Sequence, residues 1–161
     1  MKRLALLPLA IFLAACSATP KDQFGIPVEN VINDCEHGGV EVSVGLSGVG
    51  TSGEDMNDQL TFIVNVGNNA RKDITVRNIR VDPRNMETVA YRLDATYRQF
   101  NVTIPENDDH DFELPITGHG LGRQDPNGTR FGSGSELPVV VSVQMEGGEV
   151  YQCRYGVPVP H

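Results

Sequence analysis

The chain has 161 residues, with 13 basic and 21 acidic side chains, so its formal net charge at neutral pH is −8. That length suits one domain of ordinary size. Because an acidic surface repels phosphate backbones, the composition argues against nucleic acid as a partner.

The first fifteen residues have the pattern of an export leader. Lys2 and Arg3 supply positive charge, and an apolar run from Leu4 to Ala15 follows, interrupted only by Pro8. This run is too short to cross a bilayer, which takes about 20 apolar residues. We therefore predict a cleaved signal peptide over residues 1–15.

The leader ends in Leu13-Ala14-Ala15-Cys16, which resembles the lipobox of bacterial lipoproteins. The resemblance implies that Cys16 becomes the mature N-terminus and carries a diacylglyceryl thioether and an acylated amine, which anchor the chain in a membrane. In the enterobacterial sorting pattern an Asp after the cysteine favours the inner membrane. Ser17 stands there, so the expected location is the outer membrane, facing the periplasm. The alternative is an ordinary secretory leader with an incidental Cys16.

Removal of the leader would delete Lys2 and Arg3, leaving 11 basic against 21 acidic residues and a net charge of −10. Residues 16–34 are then interpreted as the lipidated N-terminus and tether, since they are polar and contain Pro20, Gly25 and Pro27. Residues 35–161 are predicted to form the folded domain.

Two cysteines remain once Cys16 is assigned to lipid. Cys35 and Cys153 of an exported protein would meet an oxidising compartment, so we predict a disulfide between them. Two buried thiols, or a metal pair lacking its other ligands, are the alternatives. Neither cysteine has Cys-x-x-Cys spacing, which argues against zinc.

Seven segments of the domain alternate apolar and polar residues, which predicts half-buried β-strands. They are Val40–Leu46, Leu60–Val66, Ile74–Val81, Tyr97–Ile104, Phe112–Ile116, Val139–Met145 and Tyr151–Val157. In the third segment Ile79 and Val81 are out of phase with Ile74 and Val76, which predicts a β-bulge near Arg77-Asn78. Gly147-Gly148 predicts a hairpin turn before the last strand.

Seven short alternating strands predict an all-β fold, an antiparallel immunoglobulin-like β-sandwich. The segment Asn65-Val66-Gly67-Asn68-Asn69 resembles the strand-turn-strand of many bacterial immunoglobulin-like modules. The core Trp and inter-sheet Cys pattern of antibody domains is absent. A small β-barrel is the structural alternative.

The densest group of oxygen donors lies in residues 106–113, in the predicted hairpin between Ile104 and Phe112. Asp108, Asp109 and Asp111 would be the ligands if this hairpin bound calcium, which takes 6–8 oxygens. The spacing does not fit an EF-hand loop. The alternative is a solvated acidic turn that blocks edge-to-edge pairing of strands.

Two glycine-rich segments are candidate binding loops. Gly48–Gly53 has the spacing of a dinucleotide fingerprint, but an acidic stretch and a strand follow it where a helix is needed, so we reject nucleotide binding. The segment 118–135 contains His119, Arg123 and Arg130, which would form an anion or partner contact or would only keep the loop soluble.

Catalytic motifs such as Gly-x-Ser-x-Gly and His-Glu-x-x-His do not occur, and we predict neither an enzyme nor a cofactor. The leading hypothesis is an envelope lipoprotein that serves as a tethered interaction or structural module for an envelope protein partner. The alternatives are a divalent-cation (calcium) module using the acidic hairpin, and an envelope hydrolase built from distant carboxylates with His110 or His119.

Overall fold

A computed structural model of the protein describes residues 31–47, 57–84, 92–119 and 136–159. The leader, Cys16, most of the tether, the Gly48–Gly53 loop, Arg123 and Arg130 lie outside these ranges. No helix long and apolar enough to span a membrane is found in the described ranges. Their regular elements are ten strands: β1 (Val31–Ile32), β2 (Glu36–His37), β3 (Val40–Ser47), β4 (Asn57–Asn68), β5 (Ile74–Pro83), β6 (Arg92–Leu93), β7 (Thr96–Ile104), β8 (Asp108–His119), β9 (Glu136–Met145) and β10 (Val150–Pro158).

The strands form two open five-stranded sheets, ordered β1-β10-β9-β5-β7 and β2-β3-β4-β8-β6. Every pairing between long strands is antiparallel, and the two-residue β1 runs parallel to β10. The predicted antiparallel β-sandwich is therefore confirmed, and the sheets do not close into the alternative barrel. The seven long strands correspond to the seven predicted ones, and β1 lies within the segment that the sequence assigned to the tether.

The allocation of strands to sheets follows an immunoglobulin-like plan with one strand exchanged. The first, second and fifth long strands (β3, β4, β8) share one sheet, and the others share the second. In constant-type immunoglobulin domains the fourth strand belongs with the first, second and fifth. Here the fourth long strand, β7, pairs with β5 and becomes the edge of the opposite sheet.

The core lies between the sheets, where the inward side chains of both meet. Alternation along β4 places Leu60, Phe62, Val64 and Val66 in the core, all of them fully buried. Burying a side chain of this size contributes about 1.5–3 kcal/mol. The outward Val140 and Ser142 of the central strand β9 are buried as well, which the alternation did not predict.

The predicted bulge is confirmed in β5. Its register against both β7 and β9 shifts between Val76 and Asn78. The extra residue returns Ile79 and Val81 to the core, where both are fully buried. The Gly147-Gly148 turn is confirmed too, with φ values of 101° and 93° that glycine adopts without strain.

One end of the sandwich is held together by the buried side chain of Asn68, at the end of β4. Its Nδ2 donates to the carbonyl oxygens of Lys72, Ile104 and Pro105 at 2.9, 3.0 and 3.0 Å, and its Oδ1 accepts from Ala70 N at 3.0 Å. Since β4 and the strand ending at Ile104 belong to different sheets, one amide joins both. We call this region the Asn68 end.

We expect Asn68→Ala to lower the free energy of unfolding by about 2–4 kcal/mol, because it removes four hydrogen bonds of a fully buried amide, one of them to the buried carbonyl oxygen of Ile104. Asn65→Ala is the matched control. Asn65 lies three residues earlier on the exposed face of the same strand, and its loss should cost less than about 1 kcal/mol. Urea denaturation followed by circular dichroism measures both. Equal losses from the two substitutions would contradict the role given to Asn68.

Candidate functional site

In the acidic segment 106–113 only Glu106 and Asn107 form a turn, and residues 108–113 belong to strand β8. This corrects the expectation of a hairpin, because the turn joins β7 and β8, which lie in different sheets. The turn is short because Asn107 adopts a left-handed φ of 60°, and β8 already begins at Asp108. Asp109, Asp111 and Glu113, at every second position of β8, therefore share its outer face, and all three are exposed. By the same alternation Asp108 belongs to the opposite face of the strand.

Two of these carboxylates are held by a neighbouring amide. Asn65 Nδ2 donates to Asp109 Oδ2 at 2.7 Å and to Asp111 Oδ1 at 2.8 Å. Within the described ranges, no three His, Cys, Asp or Glu side chains are arranged to hold a metal ion. The calcium interpretation of Asp108, Asp109 and Asp111 thus gains no support from their geometry.

The same outer face carries one more carboxylate, on β3. Glu41 pairs in register with Gly67 of β4, which pairs with Asp109 of β8. The strands β3, β4 and β8 contain no Lys or Arg. We call the surface formed by Glu41, Asp109, Asp111 and Glu113 the acidic face. Its four carboxylates make it a negatively charged surface, bordered by Arg98, which donates to Glu113 O.

The two candidate histidines do not form a joint site. His110 and His119 lie nine residues apart on β8, which corresponds to about 30 Å in an extended strand. The His110 ring contacts Phe112 edge-on, with centroids 4.7 Å apart. His119 Nε2 lies 2.8 Å from Asp94 Oδ2 at the opposite end of the sandwich. A site combining His119 with Arg123 and Arg130 stays a prediction, because both arginines lie outside the described residues.

The fold brings Cys35 and Cys153 together. Cys153 is buried in β10, and Cys35 packs against the core just after β1. Both are thiols in this structure, and Cys153 Sγ donates to Asp34 O at 3.5 Å. Burial, followed by the neighbouring thiol of Cys35, raises the pKa of Cys153 well above its usual value. The disulfide itself stays a prediction, and this arrangement is compatible with it.

We expect the protein recovered from an oxidising compartment to contain the Cys35–Cys153 disulfide. In the chain-entropy account, a bridge closing so long a loop stabilises the fold by about 4–5 kcal/mol. Mass spectrometry of a digest prepared without reductant should show the cross-linked peptides, and denaturation with and without reductant should show the loss of stability. Alkylation of both thiols before any reductant is added would contradict the pairing.

One long edge of the sandwich has no protecting proline. The side chains of Thr96 and Arg98 reach from β7 to β8, where they donate to the carbonyl oxygens of Pro115 and Glu113 at 3.2 and 3.1 Å. The edge of β8 is thus protected by Pro115 and by these contacts. No described strand pairs with the outer edge of β7, which contains neither Pro nor Lys. That edge is suited to the addition of a strand from a partner.

Sequence reasoning missed a pocket of about 330 Å³ at the Asn68 end. Its walls come from the β2–β3 turn, the β4–β5 loop and the β9–β10 turn, three segments far apart in the sequence. The available signal was the pair of glycine dipeptides, Gly38-Gly39 and Gly147-Gly148, all four with positive φ. These glycines mark tight turns that bring the walls together.

Comparisons with known proteins do not assign a family. No family model matches the chain, and no curated protein matches it. The similar solved structures include the Northeast Structural Genomics Consortium target SoR45, at 12% identity and a TM-score of 0.42, covering 76% of this chain and 88% of that one. They also include the sporulation control protein Spo0M from Bacillus subtilis, at 16% identity and a TM-score of 0.40, with 77% of this chain and 50% of that chain covered.

A third is a FixG-related protein from Vibrio parahaemolyticus, at 11% identity and a TM-score of 0.28, covering 75% of this chain and 98% of that one. Likenesses at these scores carry no argument about function. The function is therefore argued from the leader, the surfaces and the sandwich of this chain.

Proposed function

We propose that this chain is a non-enzymatic envelope lipoprotein, anchored through fatty-acylated Cys16, whose sandwich binds another protein of the envelope. The leader ending in Leu13-Ala14-Ala15-Cys16 is the observation that carries the proposal. The first described strand begins at Val31, fifteen residues after Cys16. Fully extended, that tether spans at most about 50 Å, so the sandwich works close to a lipid surface.

Two surfaces support a role in binding. The acidic face offers four carboxylates on strands without Lys or Arg, which favours a basic partner. The edge of β7 offers unpaired backbone groups to an extended segment. The segment 118–135, including His119, Arg123 and Arg130, is a further proposed contact; its described residue His119 lies at the opposite end of β8 from Asp108. Electrostatic complementarity of this kind contributes mainly to specificity and to the rate of association.

The proposed anchor is tested by Cys16→Ser. We expect the variant to lose incorporation of labelled palmitate and to leave the membrane fraction, because the thiol that accepts the diacylglyceryl group is gone. Ser17→Ala, which changes the neighbouring residue but keeps the thiol of Cys16, is the control and should keep both palmitate labelling and membrane fractionation. Intact-mass spectrometry of wild type identifies the mature N-terminus. A wild-type protein that retains Met1 and partitions wholly into water would overturn the anchor.

The acidic face is tested by neutralising Asp109→Asn, Asp111→Asn and Glu113→Gln together. The amides keep an acceptor oxygen for Asn65 but remove three negative charges, so we expect the yield of cross-linked partner to fall by about tenfold, equivalent to about 1.4 kcal/mol. Glu136→Gln, at the start of β9 in the other sheet, is the control. Chemical cross-linking of intact envelopes followed by mass spectrometry measures both. Unchanged yields from the triple variant would exclude the acidic face as the contact.

A further inference from the structure

The pocket at the Asn68 end combines an apolar inner wall with polar groups at its mouth. Val40, Ile74 and Met145 line it and are buried parts of the core. Tyr151, only 3% exposed, lines it as well. A pocket with this division of surfaces accepts a ligand group that has an apolar stem and a polar tip.

The hydroxyl of Tyr151 is the most informative group in the pocket. Among the described residues no hydrogen bond is made by this hydroxyl, and although Tyr151 as a whole is only 3% exposed, its hydroxyl is not among the buried polar atoms that lack a partner and so opens into the pocket. It lies 3.9 Å from the position that a Cβ would occupy on Gly38, so the absent side chain leaves space beside it. Burial, and then the charge of Glu149, raises the pKa of Tyr151, so the neutral hydroxyl is available to a ligand.

The charged groups around the pocket favour a cation. Its walls include three carboxylates, those of Asp73, Glu146 and Glu149, against one ammonium, that of Lys72. Glu146 is paired with Arg77, whose hydrogen bond and charge lower the pKa of that carboxyl. Asp73 Oδ1 accepts a hydrogen bond from Glu106 N at 3.3 Å. The backbone oxygen of Glu149 accepts from Met145 N at 2.8 Å, but its carboxylate has no ion-pair or hydrogen-bond partner within the described ranges and remains available.

We propose that this pocket binds the ammonium end of a lysine side chain from a partner protein. The four methylenes of the lysine lie against Val40, Ile74 and Met145. The ammonium lies between the hydroxyl of Tyr151 and the carboxylate of Glu149, and donates to both. The inference rests on the proposed function and names the chemistry of one contact, since a basic partner suits the pocket and the acidic face alike.

The test uses the full-length protein, purified in a non-ionic detergent, and follows backbone amides by NMR. The probe is n-butylammonium, which reproduces the end of a lysine side chain, and n-butanol and butyrate serve as neutral and anionic controls. We expect saturable shifts at Gly38, Glu149 and Tyr151 with n-butylammonium, and none that saturate with butyrate. Saturation by butyrate, or no saturable shift with n-butylammonium, would overturn the proposal.

Two conservative variants assign the contact. We expect Tyr151→Phe to weaken binding of n-butylammonium by about fivefold and Glu149→Gln by about tenfold, since each removes one hydrogen-bonding or charged group. Tyr97→Phe and Glu136→Gln make the same changes elsewhere on the surface and should bind as wild type. Wild-type affinity in both pocket variants would overturn the assignment.

The failure of this inference can be told apart from the failure of the proposed function. If n-butylammonium does not bind but neutralising the acidic face still reduces cross-linking, the lysine-binding assignment of the pocket is wrong, whereas the proposed role in binding a partner is still supported. If n-butylammonium binds and Cys16→Ser changes neither palmitate labelling nor fractionation, the pocket assignment is supported and the proposed lipid anchor is wrong.

Discussion

The arrangement of the Asn68 end depends on one buried side-chain amide. The carbonyl oxygens of Lys72, Ile104 and Pro105 converge where the two sheets meet, and all three accept from the Asn68 amide, the bond to Ile104 O being buried and the other two part-buried. The backbone of Asn68 also accepts from Asn107 N at 2.7 Å, which holds the turn that starts β8. That turn sets where β8 begins, and therefore which of its carboxylates lie on the acidic face. The loop held by the amide supplies one wall of the pocket, so both proposed contacts depend on the same residue.

The chain enters the sandwich on the side of β10. There β1 pairs with Val150 and Tyr151, and Cys35 reaches Cys153 a few residues further along. If the segment before Val31 is a tether to a membrane, any tension on it acts first on these contacts. A disulfide at this point would transfer the load to the last strand of the domain, which is a physical reason for its position near the N-terminal entry.

The charges divide between the two sheets in a way that suits a tethered binding protein. The strands β3, β4 and β8 carry the acidic face, and Arg92 lies on the short β6 of the same sheet. The strands β5, β7 and β10 of the other sheet carry arginines, including Arg77, Arg98 and Arg154, and Arg98 reaches across to Glu113 O of β8. In a chain of net negative charge, this division concentrates carboxylates on the outer face of β3 and β8, which supports the proposal of a basic partner. The strand β7 is the edge of the other sheet. The proposed contacts at the acidic face and at the β7 edge can therefore be tested by separate mutations.

The sequence alone determined the features that depend on neighbouring residues. Alternation fixed the seven long strands and most of their inward faces, the phase change after Val76 fixed the bulge, and Gly147-Gly148 fixed a turn. Each follows from the two-residue period of a strand or from glycine's freedom at positive φ. The tertiary structure alone decided which strands pair, because pairing depends on contacts between distant segments. It placed β7 in the second sheet, separated His110 from His119 and brought three turns together around Tyr151.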